Sequence, residues 1–289
     1  MKIGLVLEGG AHRTVFSCGV MDAFLDSGIH ADYVIGSSAG ITYAISYISR
    51  QNGRNREMLR RFVRSPKYAG FRHLINPRNR AYYNLRFLFD TIPNELLPFD
   101  YAAFNAFEGE ALAAVTNIRT GKAEYLPVTG DDTKWKVLQA TCALPLLFQP
   151  IEINGEKYAD GGVADSIPFE KAIADGCDRI IVVLTRERSY RKEQESMMRF
   201  AAGRQKRKHP EYAEAMLHRH EEYNETIDKL SEEEKNGGIY VIAPEDTLDV
   251  GRTDKRVDKL MALYAQGYAC TMQQMPALRK YLENHDIIE

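Results

Sequence analysis

Ser38 lies in a G-x-S-x-G pattern that also contains Gly36 and Gly40. In many hydrolases this pattern places a nucleophilic serine on a sharp turn between a strand and a helix. At such a turn the serine sits at the helix N-terminus, where free N–H groups and the helix dipole favour negative charge. Because a five-residue pattern also arises by chance, the interpretation of Ser38 as a nucleophile depends on its surroundings and on a nearby base.

Asp160 is the candidate for that base, and it begins an Asp-Gly-Gly sequence. A serine hydroxyl attacks a carbonyl carbon only when a base within hydrogen-bond reach takes its proton. A carboxylate is a weak base in water, but burial raises its pKa. The two glycines would let the backbone bring the carboxylate close to Ser38. Taken alone, an aspartate before glycine is also common in ordinary turns.

The elements around these residues alternate between strand and helix. Apolar segments at 2–7 and 33–35 predict buried strands, and helical spacing follows each of them at 15–25 and from Ala39 onward. This order implies parallel pairing in an α/β fold. Asn154-Gly155 predicts a tight hairpin just before Asp160. Further strands are predicted at 113–116, 123–126, 179–185 and 239–242, and further helices at 168–175 and 258–281.

Composition is that of an ordinary soluble protein. The chain has 289 residues, 44% hydrophobic and 27% charged, with a net charge of -2, so no global polarity points to a nucleic-acid partner. Four widely spaced cysteines predict reduced thiols in a reducing compartment. No apolar run of about 18 residues occurs, and the first residues resemble a strand rather than a signal peptide. We expect a single domain over residues 1–289 and a cytoplasmic location.

Two other folds use similar motifs and fit less well. An α/β-hydrolase places several strands before its nucleophile, whereas one strand precedes the strand at Tyr33 here. An α/β-hydrolase also uses a catalytic histidine in a loop after a strand, and none of the histidines of this chain lies in such a loop. A dinucleotide-binding loop needs G-x-G-x-x-G, and the run from Gly9 to Thr14 lacks that glycine spacing.

In their order along the chain, three short motifs resemble those of the patatin-like phospholipase family. The family has a Gly-Gly-Gly-x-Arg loop, a G-x-S-x-G turn and a later D-G-G or D-G-A. The corresponding segments here read EGGAHR, GSSAG and DGG. The segment 142–168, CALPLLFQPIEINGEKYADGGVADSIP, is also similar to the family sequence around its aspartate. The resemblance covers about residues 1–186 and is strongest to bacterial members with a charged, helical C-terminal part.

The resemblance implies a three-layer α/β/α fold with a mainly parallel sheet, a helical cap and a C-terminal helical extension. It also implies a catalytic dyad without histidine, in which Ser38 is the nucleophile and Asp160 the general base. Such a dyad needs neither a cofactor nor a metal ion, and the sequence contains no evident metal-binding cluster.

By the same resemblance, the first loop supplies the oxyanion hole through Gly9, Gly10 and Ala11, and Arg13 is a substrate-binding residue. Arg13 is then expected to steady the loop or attract a phosphate; the alternative is an arginine at a helix start held by a nearby carboxylate. Ala11 and Thr14 replace glycines of the family pattern. If position 11 requires a positive φ, alanine there costs about 1 kcal/mol.

Residues of about 50–107 form the predicted cap, and residues of about 189–235 form a charged helical extension. Aromatic and aliphatic side chains of the cap are expected to line an acyl channel or to be plain core: Tyr82, Tyr83, Phe87, Leu88, Phe89, Ile92, Leu96, Leu97 and Phe99.

Residues 50–86 hold eleven basic residues and one acid, Glu57. This segment is either a solvated face or a peripheral contact with an anionic membrane.

The sequence therefore predicts a lipid acyl hydrolase of the phospholipase A type, acting through a Ser38 acyl-enzyme. Two alternatives remain open at this point. One is an esterase for small soluble esters. The other is a non-catalytic lipid-binding or scaffold protein with the same fold. This alternative remains because Ala11 and Thr14 stand where the family pattern has glycines.

Overall fold

The computed structural model describes residues 1–283. Eight strands form one sheet: β1 (Ile3–Leu7), β2 (Tyr33–Ser37), β3 (Glu110–Asn117), β4 (Ala123–Pro127), β5 (Ile151–Ile153), β6 (Glu156–Asp160), β7 (Arg179–Val183) and β8 (Ile239–Ile242). Strands β3, β2, β1, β7 and β8 lie side by side and are parallel. Strands β4 and β6 pair antiparallel with β3, and β5 completes a hairpin with β6.

The helices lie on both faces of this sheet. They are α1 (Val15–Asp26), α2 (Ala39–Ile48), α3 (Arg54–Phe62), α4 (Phe71–Leu74), α5 (Tyr101–Asn105), α6 (Lys136–Thr141), α7 (Phe169–Ala174), α8 (Ser196–Gln205), α9 (Pro210–Lys235) and α10 (Val257–Glu283). Short 3-10 helices occupy Ala11–Thr14 and Gly161–Val163, and a π-helix occupies Phe87–Leu96.

Three layers result from the alternation of side chains along the strands. In β1, Leu5 and Leu7 belong to the core that includes α1, α2 and α10, whereas Val6 belongs to the core that includes α7 and α9. Successive strand residues point to opposite faces, so a strand covered on both faces is apolar at every position. The predicted α/β/α fold with its cap and C-terminal helices is confirmed.

Most predicted elements agree with the structure to within two residues at either end. Strand β3 is an exception, since it begins three residues before the predicted strand. The C-terminal extension also differs, because residues 186–195 are irregular and two separate helices, α8 and α9, follow. Helix α6 was not predicted. Within residues 1–283, no helix combines the length and the apolar character that a bilayer crossing requires.

Candidate active site

The Ser38 side chain sits on a strained turn between β2 and α2. Its backbone has φ 51° and ψ -126°, a left-handed conformation that an L-residue adopts only when its surroundings enforce it. Gly40 explains part of this geometry, since a Cβ there would lie 2.6 Å from the carbonyl oxygen of Leu7. The Ser38 amide donates a hydrogen bond to Oγ1 of Thr141 at 2.8 Å. The turn thus holds Ser38 at the carboxyl end of the parallel strands.

The pairing of β3 brings Asp160 to Ser38. Strand β4 covers one edge of β3, and β2 covers the other edge as far as Ala114. Strand β6 continues along the edge used by β2, pairing Asp160 with Val115. Asp160 therefore lies just beyond the carboxyl end of β2, where the Ser38 turn begins. The Ser38 Oγ donates a hydrogen bond to Oδ2 of Asp160 at 2.8 Å.

The other contacts of Asp160 fix its carboxylate in this position. Its Oδ1 accepts a hydrogen bond from the Gly162 amide at 2.8 Å, and its carbonyl oxygen accepts one from Thr116 Oγ1 at 2.8 Å. Gly161 permits the close approach, because a Cβ there would lie 2.1 Å from the Ala114 carbonyl oxygen. Rotation of the Asp160 side chain would break both carboxylate hydrogen bonds, so the carboxylate is preorganised toward Ser38.

Burial raises the pKa of Asp160, since 2% of the residue is exposed and desolvation disfavours the charged form. Hydrogen bonds from Ser38 and Gly162 and the nearby Arg219 guanidinium partly offset this increase. The carboxylate is thus a stronger base than an exposed aspartate. This is the property that proton transfer from a serine requires.

No histidine within residues 1–283 hydrogen-bonds to Ser38. His12 is the histidine of the first loop, and its Nδ1 donates to the Asp254 carbonyl oxygen at 2.5 Å. Burial lowers the pKa of His12 to about 4, which keeps the ring neutral at pH 7. His285 lies outside the described residues.

The first loop presents two free amides. The Gly9 amide donates a hydrogen bond to the Ser166 carbonyl oxygen at 3.3 Å. It is therefore not free to donate to an oxyanion, unlike the prediction for Gly9. The amides of Gly10 and Ala11 have no acceptor within residues 1–283. Ala11 has φ 50°, so the strain anticipated for alanine at this position is present.

Arg13 is buried, with 8% of the residue exposed. The alternative prediction was an arginine held by a nearby carboxylate. Glu8 lies in the same pocket as Arg13, but its carboxylate forms no ion pair with the Arg13 guanidinium. That carboxylate accepts hydrogen bonds from the Thr185 amide and from the Tyr223 hydroxyl instead. Within the described part of the chain, the Arg13 side chain forms neither an ion pair nor a hydrogen bond.

Two openings meet at Ser38. One is an apolar cleft of about 990 Å³, counted with the solvent-filled space at its mouth. Five of the nine cap residues predicted to line an acyl channel do line it: Tyr83, Leu88, Phe89, Ile92 and Phe99. The other opening is a polar pocket of about 470 Å³ that also reaches Asp160 and the first loop.

Several residues of this region escaped sequence reasoning. Thr141 lies in the unpredicted helix α6, and its hydroxyl accepts from the Ser38 amide while donating to the Ala114 carbonyl oxygen. Arg219 of α9 is 9% exposed, although it lies in the segment that was predicted only as a charged helical extension. The only available signal was the segment's excess of charged residues, which does not distinguish a solvated face from a buried one.

The fold and the site together define an α/β protein that carries a hydrogen-bonded serine–carboxylate pair at a strand–helix turn. Residues 5–173 match the model of the family described as patatin-like phospholipase. This match covers more than half of the chain, and the chain belongs to that family. Residues 209–283 match a second model, a domain of unknown function named DUF6363.

Among curated proteins, the chain is 27% identical over 190 residues to "Uncharacterized protein YjjU" of Escherichia coli (strain K12), covering 64% of this chain and 52% of that protein. It is 26% identical over 185 residues to "Lysophospholipase NTE1" of Yarrowia lipolytica, covering 63% of this chain and 12% of that protein. The matched region therefore spans about half of the bacterial relative and a small part of the yeast one.

Among solved structures, the chain is similar to VipD from Legionella pneumophila. The TM-score is 0.46 at 15% sequence identity, with 96% of this chain and 67% of the other covered.

Proposed function

We propose that this protein hydrolyses carboxylic esters of lipids through a Ser38 acyl-enzyme. The observation that carries this proposal is the 2.8 Å hydrogen bond from Ser38 to the buried Asp160 at the end of an apolar cleft. Family membership and the lysophospholipases among the relatives support a lipid ester as the substrate.

In the proposed reaction, Ser38 Oγ attacks the ester carbonyl carbon while its proton passes to Asp160. The amides of Gly10 and Ala11 stabilise the oxyanion, each contributing roughly 3 kcal/mol to the lowering of the barrier. Asp160 then protonates the departing alcohol. A water molecule then gives up a proton to Asp160 as it attacks the acyl-enzyme, and Asp160 returns that proton to Ser38 Oγ when the fatty acid leaves.

The cleft favours a long acyl chain over a small ester. Its lining contains aromatic and aliphatic side chains of the cap, together with Ile45 and Met58. A small ester would leave most of this apolar surface without a ligand. A scaffold protein, in turn, has no need for a strained serine bonded to a buried carboxylate.

Activity is expected to rise with acyl chain length until the cleft is filled. Each buried methylene contributes about 0.8 kcal/mol, which corresponds to about fourfold in kcat/KM per methylene. The measurement is hydrolysis of p-nitrophenyl esters from acetate to palmitate. Leu88→Trp, which fills part of the cleft, should shift the optimum to shorter chains.

Leu96→Trp is the matched control, because Leu96 lies in the same π-helix, is 38% exposed and does not line the cleft. Its chain-length optimum should stay that of the parent protein. Equal rates on acetate and long-chain esters would instead favour the small-ester esterase.

An anionic bilayer is the proposed source of the substrate. Phe71, the first residue of α4, is 74% exposed, and Ile75, which directly follows α4, is 83% exposed. Residues 67–80 contain no acidic residue. They contain four exposed basic residues, which are Lys67, Arg72, Arg78 and Arg80. Apolar and basic side chains side by side match a membrane interface. Arg61 and Arg64, earlier in the basic segment, instead face Glu57 and Asp258.

Vesicle co-sedimentation tests this contact. The protein should bind phosphatidylglycerol vesicles, and the double variant Phe71→Ser/Ile75→Ser should bind them about tenfold more weakly. Ile173→Ser, an exposed apolar position on α7, is the control and should bind like the parent. Equal binding by the parent to phosphatidylcholine vesicles, or by the double variant to phosphatidylglycerol vesicles, would contradict an anionic docking face.

A further inference from the structure

The short segment from Thr141 to Ala143, at the end of α6, contacts both residues of the Ser38–Asp160 pair. Oγ1 of Thr141 accepts a hydrogen bond from the Ser38 amide at 2.8 Å, and the carbonyl oxygen of Ala143 accepts one from the Asp160 amide at 3.0 Å. We infer that Thr141 is a positioning residue, whose hydroxyl fixes the turn that directs Ser38 Oγ at Asp160. This inference rests on the proposed function.

The Thr141 hydroxyl does not follow the usual pattern of a threonine in a helix. Such a hydroxyl commonly donates to the carbonyl oxygen four residues earlier in its own helix, as Thr271 does to Gly267 in α10 at 2.8 Å. Thr141 instead donates to the Ala114 carbonyl oxygen of β3 at 2.5 Å. Its hydroxyl thus bridges the Ser38 amide and a strand of the sheet.

This bridge lies where the regular pairing between β2 and β3 stops. The two strands are in register as far as Ser37 and Ala114, and the chain then turns sharply at Ser38. At that point the Thr141 hydroxyl supplies the acceptor for the Ser38 amide. Thr141 is fully buried, so loss of its hydroxyl would break both hydrogen bonds in a place with little access to water.

The strain at Ser38 explains why its two peptide groups need restraints. A non-glycine residue keeps a positive φ only when the surrounding contacts enforce it, and Ser38 has φ 51°. Thr141 holds the peptide group before Ser38. Thr42 holds the peptide group after it, because its Oγ1 donates to the Ser38 carbonyl oxygen at 3.0 Å. With both peptide groups held, the direction of the Ser38 side chain is set.

Helix α6 is a firm support for these contacts. Its Ala140 is fully buried and packs with Val115 of β3 and Tyr158 of β6. Strand β6 ends at Asp160, so α6 covers the two strands whose pairing brings Asp160 to Ser38. The same helix therefore restrains both members of the pair relative to each other.

The test removes the hydroxyl while preserving the shape of the side chain. Thr141→Val should lower kcat on a long-chain p-nitrophenyl ester about thirtyfold, because a small misplacement of a reacting group can cost about a hundredfold. KM should stay within about threefold, since Thr141 does not line the cleft and the lost interaction acts on the reacting group. Thr141→Ser retains the donor and acceptor, so its kcat should stay within about threefold of the parent.

Thr271→Val is the matched control, because Thr271 is also fully buried and its hydroxyl also donates to a backbone carbonyl oxygen. This variant removes a buried hydroxyl outside the site, so kcat and KM should equal those of the parent. A second readout is the rate at which a fluorophosphonate labels Ser38, since it reports on the nucleophile without turnover of an ester. Labelling should slow about thirtyfold in Thr141→Val and keep the parent rate in Thr271→Val.

A role in folding alone would give a different result. Thr141→Val would then lower the urea midpoint while the folded protein kept the parent kcat and labelling rate, and this outcome would overturn the inference. Equal losses of kcat in Thr141→Ser and Thr141→Val would also overturn it, because the serine variant retains the hydroxyl. If Thr141→Val does not fold, Thr141→Ala replaces it. The alanine leaves space for water beside the Ser38 amide, and kcat should still fall about tenfold or more.

The same measurements separate this inference from the proposed function. If the parent were active and Thr141→Val matched it in kcat and in labelling, the inference alone would fail. If the parent labelled at Ser38 but hydrolysed no ester, the proposed function would fail, and the labelling rates of the variants would still decide the role of Thr141. A parent that neither hydrolysed esters nor labelled at Ser38 would overturn both.

Discussion

Ser38→Ala should abolish covalent labelling by a fluorophosphonate and lower kcat on a long-chain ester by a factor of about 10⁴ or more. The hydroxyl is the group that forms the acyl-enzyme, and no neighbouring atom substitutes for a nucleophile in covalent catalysis. The measurement is intact-mass analysis of the labelled protein, followed by mapping of the modified peptide. The adduct of the parent protein should lie on Ser38.

Ser37→Ala is the matched control for this experiment. Ser37 is the preceding residue, is fully buried, and its Oγ has no hydrogen-bond partner within residues 1–283. Its replacement should preserve labelling and leave kcat within about threefold of the parent. An adduct on any serine other than Ser38, or strong labelling of Ser38→Ala, would rule out the proposed nucleophile.

The local parts of this site could be predicted from the sequence because short-range geometry determines them. Gly36, Ser38 and Gly40 specify a strand–helix turn, and Asn154-Gly155 specifies the hairpin that ends at Asp160. The structure has both features. Ala11 also has the positive φ for which the replacement of glycine is unfavourable.

The parts that were not predicted depend on contacts between distant segments. Thr141 reaches Ser38 across 103 positions of sequence, and no pattern within α6 indicates that contact. The side chains of Lys192, Arg219 and Arg252 enter the polar pocket only because the irregular segment 186–195, α9 and the loop before α10 pack against the end of the sheet. Periodicity describes which face of a helix is apolar, but it does not reveal that a charged residue faces a buried pocket.

Asp160→Asn should lower kcat by a factor of about 10³ or more while the protein remains folded. The amide preserves both side-chain hydrogen bonds, since its oxygen can accept from Gly162 and its nitrogen can donate to Ser38. What it removes is the capacity to take the Ser38 proton. Because the two residues act as one unit, the double variant with Ser38→Ala should be no slower than Ser38→Ala alone.

The pH dependence distinguishes this carboxylate from a histidine base. Burial raises the folded-state pKa of Asp160 above its ordinary value, and the ionised form is the active one. In the parent protein, kcat/KM should therefore fall as pH decreases through that raised pKa, and the residual activity of Asp160→Asn should lack this acid limb. If Asp160→Asn kept the acid limb and more than about a tenth of the parent kcat, a different base would be required.

Stability should change in the opposite direction to activity. The native state binds the Asp160 proton more tightly than the unfolded chain does, so stability decreases as pH rises from the unfolded-state pKa to the raised folded-state pKa. Above that range the buried carboxylate is charged and its desolvation cost is complete. Asp160→Asn removes this cost, so its urea midpoint at pH 7 should equal or exceed that of the parent. A lower midpoint together with lost activity would mean that Asp160 supports the fold rather than the chemistry.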